Sequence, residues 1–117
     1  MIVQAGMNRY RDLIEADITD GGLGDDGTEV TLGDTSIGNA ITGTDKTVSN
    51  TTFYNGIKIS YSTSTGNGSG NIAREFILEN ASNTLLHRMT FPGIDIDDTT
   101  LMEVDTQLLL IQDLSEV

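Results

Sequence analysis

The sequence contains a single histidine, His87. An imidazole can act as a general base or a metal ligand, but either role needs an oriented partner. His87 alternates with Leu85 and Met89, and no acid sits beside it. That spacing assigns it to an apolar strand face as a structural histidine. Serines are plentiful, yet none occupies a Gly-x-Ser-x-Gly elbow; Ser69 has Asn67, not glycine, two positions before it. The run Gly21-Gly22-Leu23-Gly24-Asp25-Asp26 matches one Gly-Gly-x-Gly-x-Asp unit. Calcium sites of that type are built by stacking tandem units, and here there is one. Asp95, Asp97 and Asp98 offer hard oxygen ligands without EF-hand spacing, and read as a solvated acidic turn. Gly66-Asn67-Gly68-Ser69-Gly70 is not a phosphate loop, because no Lys-Ser/Thr follows it and no strand–loop–helix context surrounds it. The sequence therefore assigns no catalytic, cofactor-binding or metal-ligating residue, and the chain is expected not to be an enzyme.

Three Asn-x-Ser/Thr sequons begin at Asn50, Asn67 and Asn80. All fall at expected turns or loops, where a glycosylation acceptor would lie. Asn67 sits in the most accessible of these.

Charge narrows the partners. Eighteen acids face six bases, a formal net charge of −12. Such a surface repels nucleic-acid phosphates and anionic membranes, so neither is expected as a partner. Lysines are only two, Lys46 and Lys58, while residues 108–111 read Leu-Leu-Leu-Ile. Acid-rich, lysine-poor and still foldable, the chain fits concentrated salt, where repulsion is screened within about 3 Å at 1 M. An ordinary acidic domain is the alternative. There is no cysteine, hence no disulfide framework. The first residues lack a basic, then apolar, leader pattern, and no stretch is long enough to span a bilayer. A soluble protein not exported by such a signal is expected.

The 117 residues suit one domain, with 37% hydrophobic residues and a core of Ile, Leu, Val and Met. Met7, Tyr10, Leu13, Ile14 and Ile18 predict one helix over about 7–18, ended by Gly21-Gly22. Residues 20–45 read as glycine- and acid-rich loops, 20–27 the clearest, with a weak strand at 29–32. A β core over about 47–112 follows. In residues 51–61 the pair Asn55-Gly56 predicts a two-residue type I′ turn that sets Tyr54 opposite Ile57 and Thr52 opposite Ile59. Ile72–78, 85–91 and 102–110 alternate with period two, and Pro92-Gly93 is expected to end the second of these. The expected architecture is mainly β: an antiparallel sandwich or partly open barrel with one short N-terminal helix.

Along the final run Met102, Val104, Thr106, Leu108 and Leu110 form the inward set. Leu101, Leu109 and Ile111 then fall on the face shared with Glu103, Asp105 and Gln107. An outer strand cannot bury both faces inside one small domain, so these three are expected at a contact with another chain, in a homo-oligomer or particle.

Two stretches resemble small tailed-virus structural proteins of the tail-fibre or minor virion type. The first is Gly6-Met7-Asn8-Arg9-Tyr10-Arg11-Asp12-Leu13-Ile14, then Leu23-Gly24-Asp25-Asp26-Gly27-Thr28 and Asp34-Thr35-Ser36-Ile37-Gly38. It resembles that family's short helix, Leu-Gly-x-Gly-like loop and Asp-Thr-x-Leu-Gly segment. The second runs from Ile72-Ala73-Arg74-Glu75-Phe76-Ile77-Leu78 through Asn80-Ala81-Ser82 to Leu85-Leu86-His87-Arg88-Met89-Thr90-Phe91. Here Phe76-Ile77-Leu78-Glu79 replaces the family's glycine-containing strand, and Asp25-Asp26 alters its loop. The resemblance implies a virion component, assembled in the host cytoplasm, whose partners are other virion proteins and its own copies. With the acidity it implies a haloarchaeal virus. It carries over no catalytic residue. A tail-fibre, baseplate or tail-associated role leads; a capsid decoration or vertex-turret subunit and a module binding host-surface glycans are the alternatives.

Overall fold

The computed structural model describes residues 1–111. A helix, α1 (Gln4–Asp17), precedes seven strands: β1 (Asp20–Gly24), β2 (Lys46–Thr47), β3 (Ser49–Phe53), β4 (Gly56–Ser62), β5 (Ile72–Glu79), β6 (Leu85–Asp95) and β7 (Glu103–Leu109). They form two antiparallel sheets, ordered β2-β1-β5-β6 and β3-β4-β7. The sheets face each other as a sandwich, and neither closes into a barrel. Phe76, Leu78 and Leu23 of one sheet meet Ile57, Ile59 and Tyr61 of the other. The rings of Tyr61 and Phe76 pack edge to face with centroids 5.1 Å apart. Tyr61 donates its hydroxyl proton to the Thr44 carbonyl, and burial pushes its phenol above the usual tyrosine range.

Several expectations are corrected. The helix begins at Gln4, not Met7, because Gln4 and Ala5 are good helix formers that extend it backwards. It ends before Ile18, which is extended and buried, so Gly21-Gly22 does not cap it. Those glycines instead lie in β1, within the segment read as loop. Glycine there serves close packing: a Cβ on Gly21 would stand 2.7 Å from Tyr61 Cδ2 and 3.1 Å from Phe76. Gly21→Ala is therefore expected to overpack the core and cost about 1–3 kcal/mol, seen as a lower denaturation midpoint. An unchanged midpoint would mean that the sheets separate freely at this point.

Residues 29–32 form no strand; they belong to a long excursion between β1 and β2. The hairpin exists, but its turn is Tyr54-Asn55, one position early. Thr52 pairs with Ile57 and Phe53 with Gly56. None of Tyr54, Asn55 and Gly56 has positive φ, so the turn is not type I′. Two contacts fix the shift. Asn55 O accepts the Leu110 N–H at 2.7 Å, and a Cβ on Gly56 would stand 2.6 Å from Leu108 O. The final strand thus sets the turn, overriding local preference. Tyr54 consequently points to solvent.

Pro92-Gly93 does not end β6. The register jumps from Ala73↔Ile94 to Glu75↔Thr90, so the pair sits in a bulge. β6 is an edge strand, where a missing N–H breaks no ladder. Leu101 lies just before β7 rather than within it, and position 112, the expected end of the β core, falls outside the described residues.

Candidate assembly surfaces

β6 and β7 are the free edges of the two sheets on one side of the sandwich. Between them the core is not closed. A groove of about 450 Å³ opens there, floored by Ile59, Leu78 and Leu108 and walled by Leu13 and Ile14 of α1 and by Leu86 of β6. His87 lies across from Leu78 on β6 and lines the same groove, exposed. Its apolar setting agrees with the alternation; its exposure follows from the open edge.

The helix covers this opening incompletely. None of its residues is buried. It is held to the sandwich by polar contacts at its flank: Arg11 donates to the Phe53 carbonyl at 3.0 Å, and Asn50 donates to the carbonyls of Glu15 and Ile18 at 3.2 and 2.8 Å. Leu109 is 47% and Ile111 81% exposed, and Leu101 48%. Leu109 sits opposite Gly56, where no side chain can shield it. Ile111 reaches the helix start, where Leu110, Ile2, Met7 and Tyr10 line a hollow of about 110 Å³ with it. Leu101 is separate from that group in sequence and does not line that hollow.

A second feature is a buried ionic clamp that the sequence reading missed. Glu75 and Arg88 project from the outer face of the first sheet, the face opposite Phe76. Arg88 Nε donates to Glu75 Oε2 at 2.7 Å, and both side chains are almost fully buried. Arg88 Nη1 donates to Thr28 O at 3.0 Å and Asp34 Oδ2 at 3.1 Å, and Nη2 to Asp26 O at 3.1 Å. Glu75 accepts the backbone N–H groups of Asn39 at 3.0 Å, Gly38 at 3.2 Å and Asp26 at 3.4 Å. Gly24 leaves room for this, since a Cβ there would overlap Glu75 Oε1. The pair thus pins both ends of the 25–39 excursion to the sheet. The only sequence signal was two opposite charges at interior positions of neighbouring apolar runs.

Around the clamp, hydrogen bonds from Thr28 hold the Asp26 carboxyl below the usual range, and those from Thr31 do so for Asp34, with Arg88 adding to both. Such groups stabilise the fold above their ordinary value of 3.8 and lose that contribution as pH falls through their lowered values. Melts at constant salt should therefore fall more steeply below about pH 4 for the wild type than for Asp34→Asn. Equal slopes would remove Asp34 from the account.

The remaining motifs resolve locally. Asp26 and Asp97 cap turns through Thr28, Thr99 and Thr100, and Asp98 accepts from Ser69. Among the described residues, no three His, Asp or Glu side chains gather to hold a metal ion. No described helix is long and apolar enough to cross a membrane. Of the sequons, Asn50 lies in β3 rather than a loop. Its amide nitrogen is engaged and its Oδ1 is buried without a hydrogen bond, because α1 packs over it. Asn80 Nδ2 donates to Asp17 at 3.4 Å. Asn67 stands in the turn after β4, where its Oδ1 accepts the Ser64 N–H at 2.8 Å.

The fold and surfaces define a small acidic β-sandwich with an uncovered edge and an outlying helix. No family model matches the chain, and neither a curated protein nor a solved structure matches it significantly.

Proposed function

We propose that this chain is a non-catalytic structural component of a tailed-virus particle, placed at a tail fibre, baseplate or other tail site, and that it works through protein–protein assembly. The observation that carries the assembly part is the apolar surface its own fold leaves open: Leu109, Ile111, the helix face and the groove between β6 and β7. Scattered exposed apolar residues are ordinary, but here α1 joins two apolar openings, with Leu13 and Ile14 walling the groove and Met7 and Tyr10 sharing a hollow with Ile111. The viral part is supported by the resemblance of the 6–38 and 72–91 stretches, and a haloarchaeal virus by the net charge of −12 with two lysines. A non-catalytic role is supported by the use of Glu75, Asp26, Asp34 and Asp97 in structural hydrogen bonds.

The same surface would serve a capsid decoration or vertex-turret subunit. A host-glycan module has less support, because the groove is lined mainly by aliphatic side chains, with no Trp, Tyr or Phe for a sugar to stack on. Gold-labelled antibody on purified particles separates these readings. Label on the tail is expected. Label confined to the capsid would move the chain to the decoration reading, and particles without label would overturn a virion role.

A further inference from the structure

We propose that α1 pairs antiparallel with α1 of a second copy of this chain, about a two-fold axis at Leu13, so that Arg9 of each copy meets Asp17 of the other. This rests on the assembly reading above and names the partner and the contact. The helix is poorly supported on its own. It has 14 residues, no side-chain N-cap, no acid in its first turn and no base in its last. Isolated helices of that length are marginal in water. Its charges also run against the helix dipole, with Arg9 and Arg11 ahead of Asp12, Glu15 and Asp17.

That unfavourable order becomes complementary in an antiparallel pair. Arg9 lies as far before Leu13 as Asp17 lies after it, and both fall within about 40° of Leu13 around the helix. Pairing about Leu13 therefore sets base against acid, and it sets the dipoles head to tail. A parallel pair would set like against like. Tyr10 meets Ala16 by the same operation, and the small residue leaves room for the ring. Arg9 is exposed and makes no ion pair among the described residues, in a chain with three acids for every base.

The area is sufficient. Val3, Tyr10 and Leu13 form an exposed stripe on one side of α1, and Leu86 and Leu108 extend it across the groove. These five side chains are 39% to 64% exposed. At roughly 150–200 Å² each when fully open, they offer about 400 Å² of apolar surface. With Ala16 and the polar rim of Arg9, Asp12, Asp17 and His87, the contact approaches the roughly 800 Å² per partner of a standard interface. A two-fold contact uses the same patch on both copies, as this one does.

Light scattering on the full chain, at the lowest salt that keeps its circular dichroism spectrum folded, tests the pairing. The wild type should weigh twice 12.6 kDa. Leu13→Asp should give a folded monomer. Arg9→Asp and Asp17→Arg should each raise the dissociation constant at least tenfold, and the double reversal should restore it to within about threefold. The chain has no cysteine, so Leu13→Cys should cross-link to itself under mild oxidant while Thr31→Cys does not. A wild-type oligomer that Leu109→Asp dissociates, but that neither charge reversal nor Leu13→Asp affects, overturns the helix pairing and leaves the assembly reading standing. A wild-type monomer overturns the pairing, and antibody labelling of particles then judges assembly separately.

Discussion

Arg88→Met is expected to remove about 3–5 kcal/mol of stability, because it leaves the Glu75 carboxylate buried without its counter-charge. Against a total of 5–15 kcal/mol for a natural domain, that is a large share. The midpoint of thermal unfolding should fall by roughly 15 °C or more. Glu75→Gln should behave similarly, since it keeps the shape but loses the charge facing Arg88 Nε. A buried ion pair can often be exchanged for apolar side chains at little cost. Here the exchange should fail. The backbone N–H groups of Asp26, Gly38 and Asn39, and the carbonyls of Asp26 and Thr28, depend on the same two side chains. A Glu75→Leu, Arg88→Met double variant should remain destabilised by several kcal/mol and release the 25–39 segment to limited proteolysis. A double variant as stable as the wild type would show that this segment is not held by the clamp.

Salt should have an effect of comparable size. Only six bases oppose the 18 acids, and among the described residues every acid but Glu75 reaches solvent at least in part. Of those bases, Arg88 is buried in the clamp and Arg11 is paired with Asp12, so neither is free to offset the outer field. Raising NaCl or KCl from about 10 mM to about 1 M shortens the screening length from roughly 30 Å to about 3 Å. Relief of a few kcal/mol of repulsion should lift the melting midpoint by on the order of 10 °C. Using both chlorides separates screening from the surface exclusion that sulfate would add. A flat midpoint across that range would make the acidity incidental to folding and withdraw support from a halophilic source.

The sequence made the strands of the core legible and hid most of what connects them. Period-two alternation located β4, β5 and β7 because one face of each turns toward the other sheet, buried in β4 and β5 and partly covered in β7. Ile57, Ile59 and Tyr61 alternate with the polar or exposed Lys58 and Ser60 in both readings. β1 was invisible because its composition, Asp-Gly-Gly-Leu-Gly, is that of a loop. Its glycines are demanded by Tyr61, Phe76 and Glu75, which lie far along the chain. The hairpin turn moved by one position for the same reason: Leu108 and Leu110 of the last strand constrain Gly56 and Asn55. Glu75 and Arg88 passed as ordinary strand positions because the groups that complete their clamp lie 36 to 62 residues earlier. Local rules cannot register contacts of that range. At the surface, alternation singled out Leu109 and Ile111, whereas the groove required knowing that β6 and β7 end their sheets side by side. Leu101 was assigned to a strand that begins two residues later.

A density map of the intact particle, resolved well enough to dock this chain, decides whether the chain assembles through its apolar residues. Other protein chains are expected to cover Leu109, Ile111 and the α1 face, while the acidic outer surfaces stay open to solvent. A map in which the chain is present but those apolar residues face solvent, or one with no density for this fold, would contradict it.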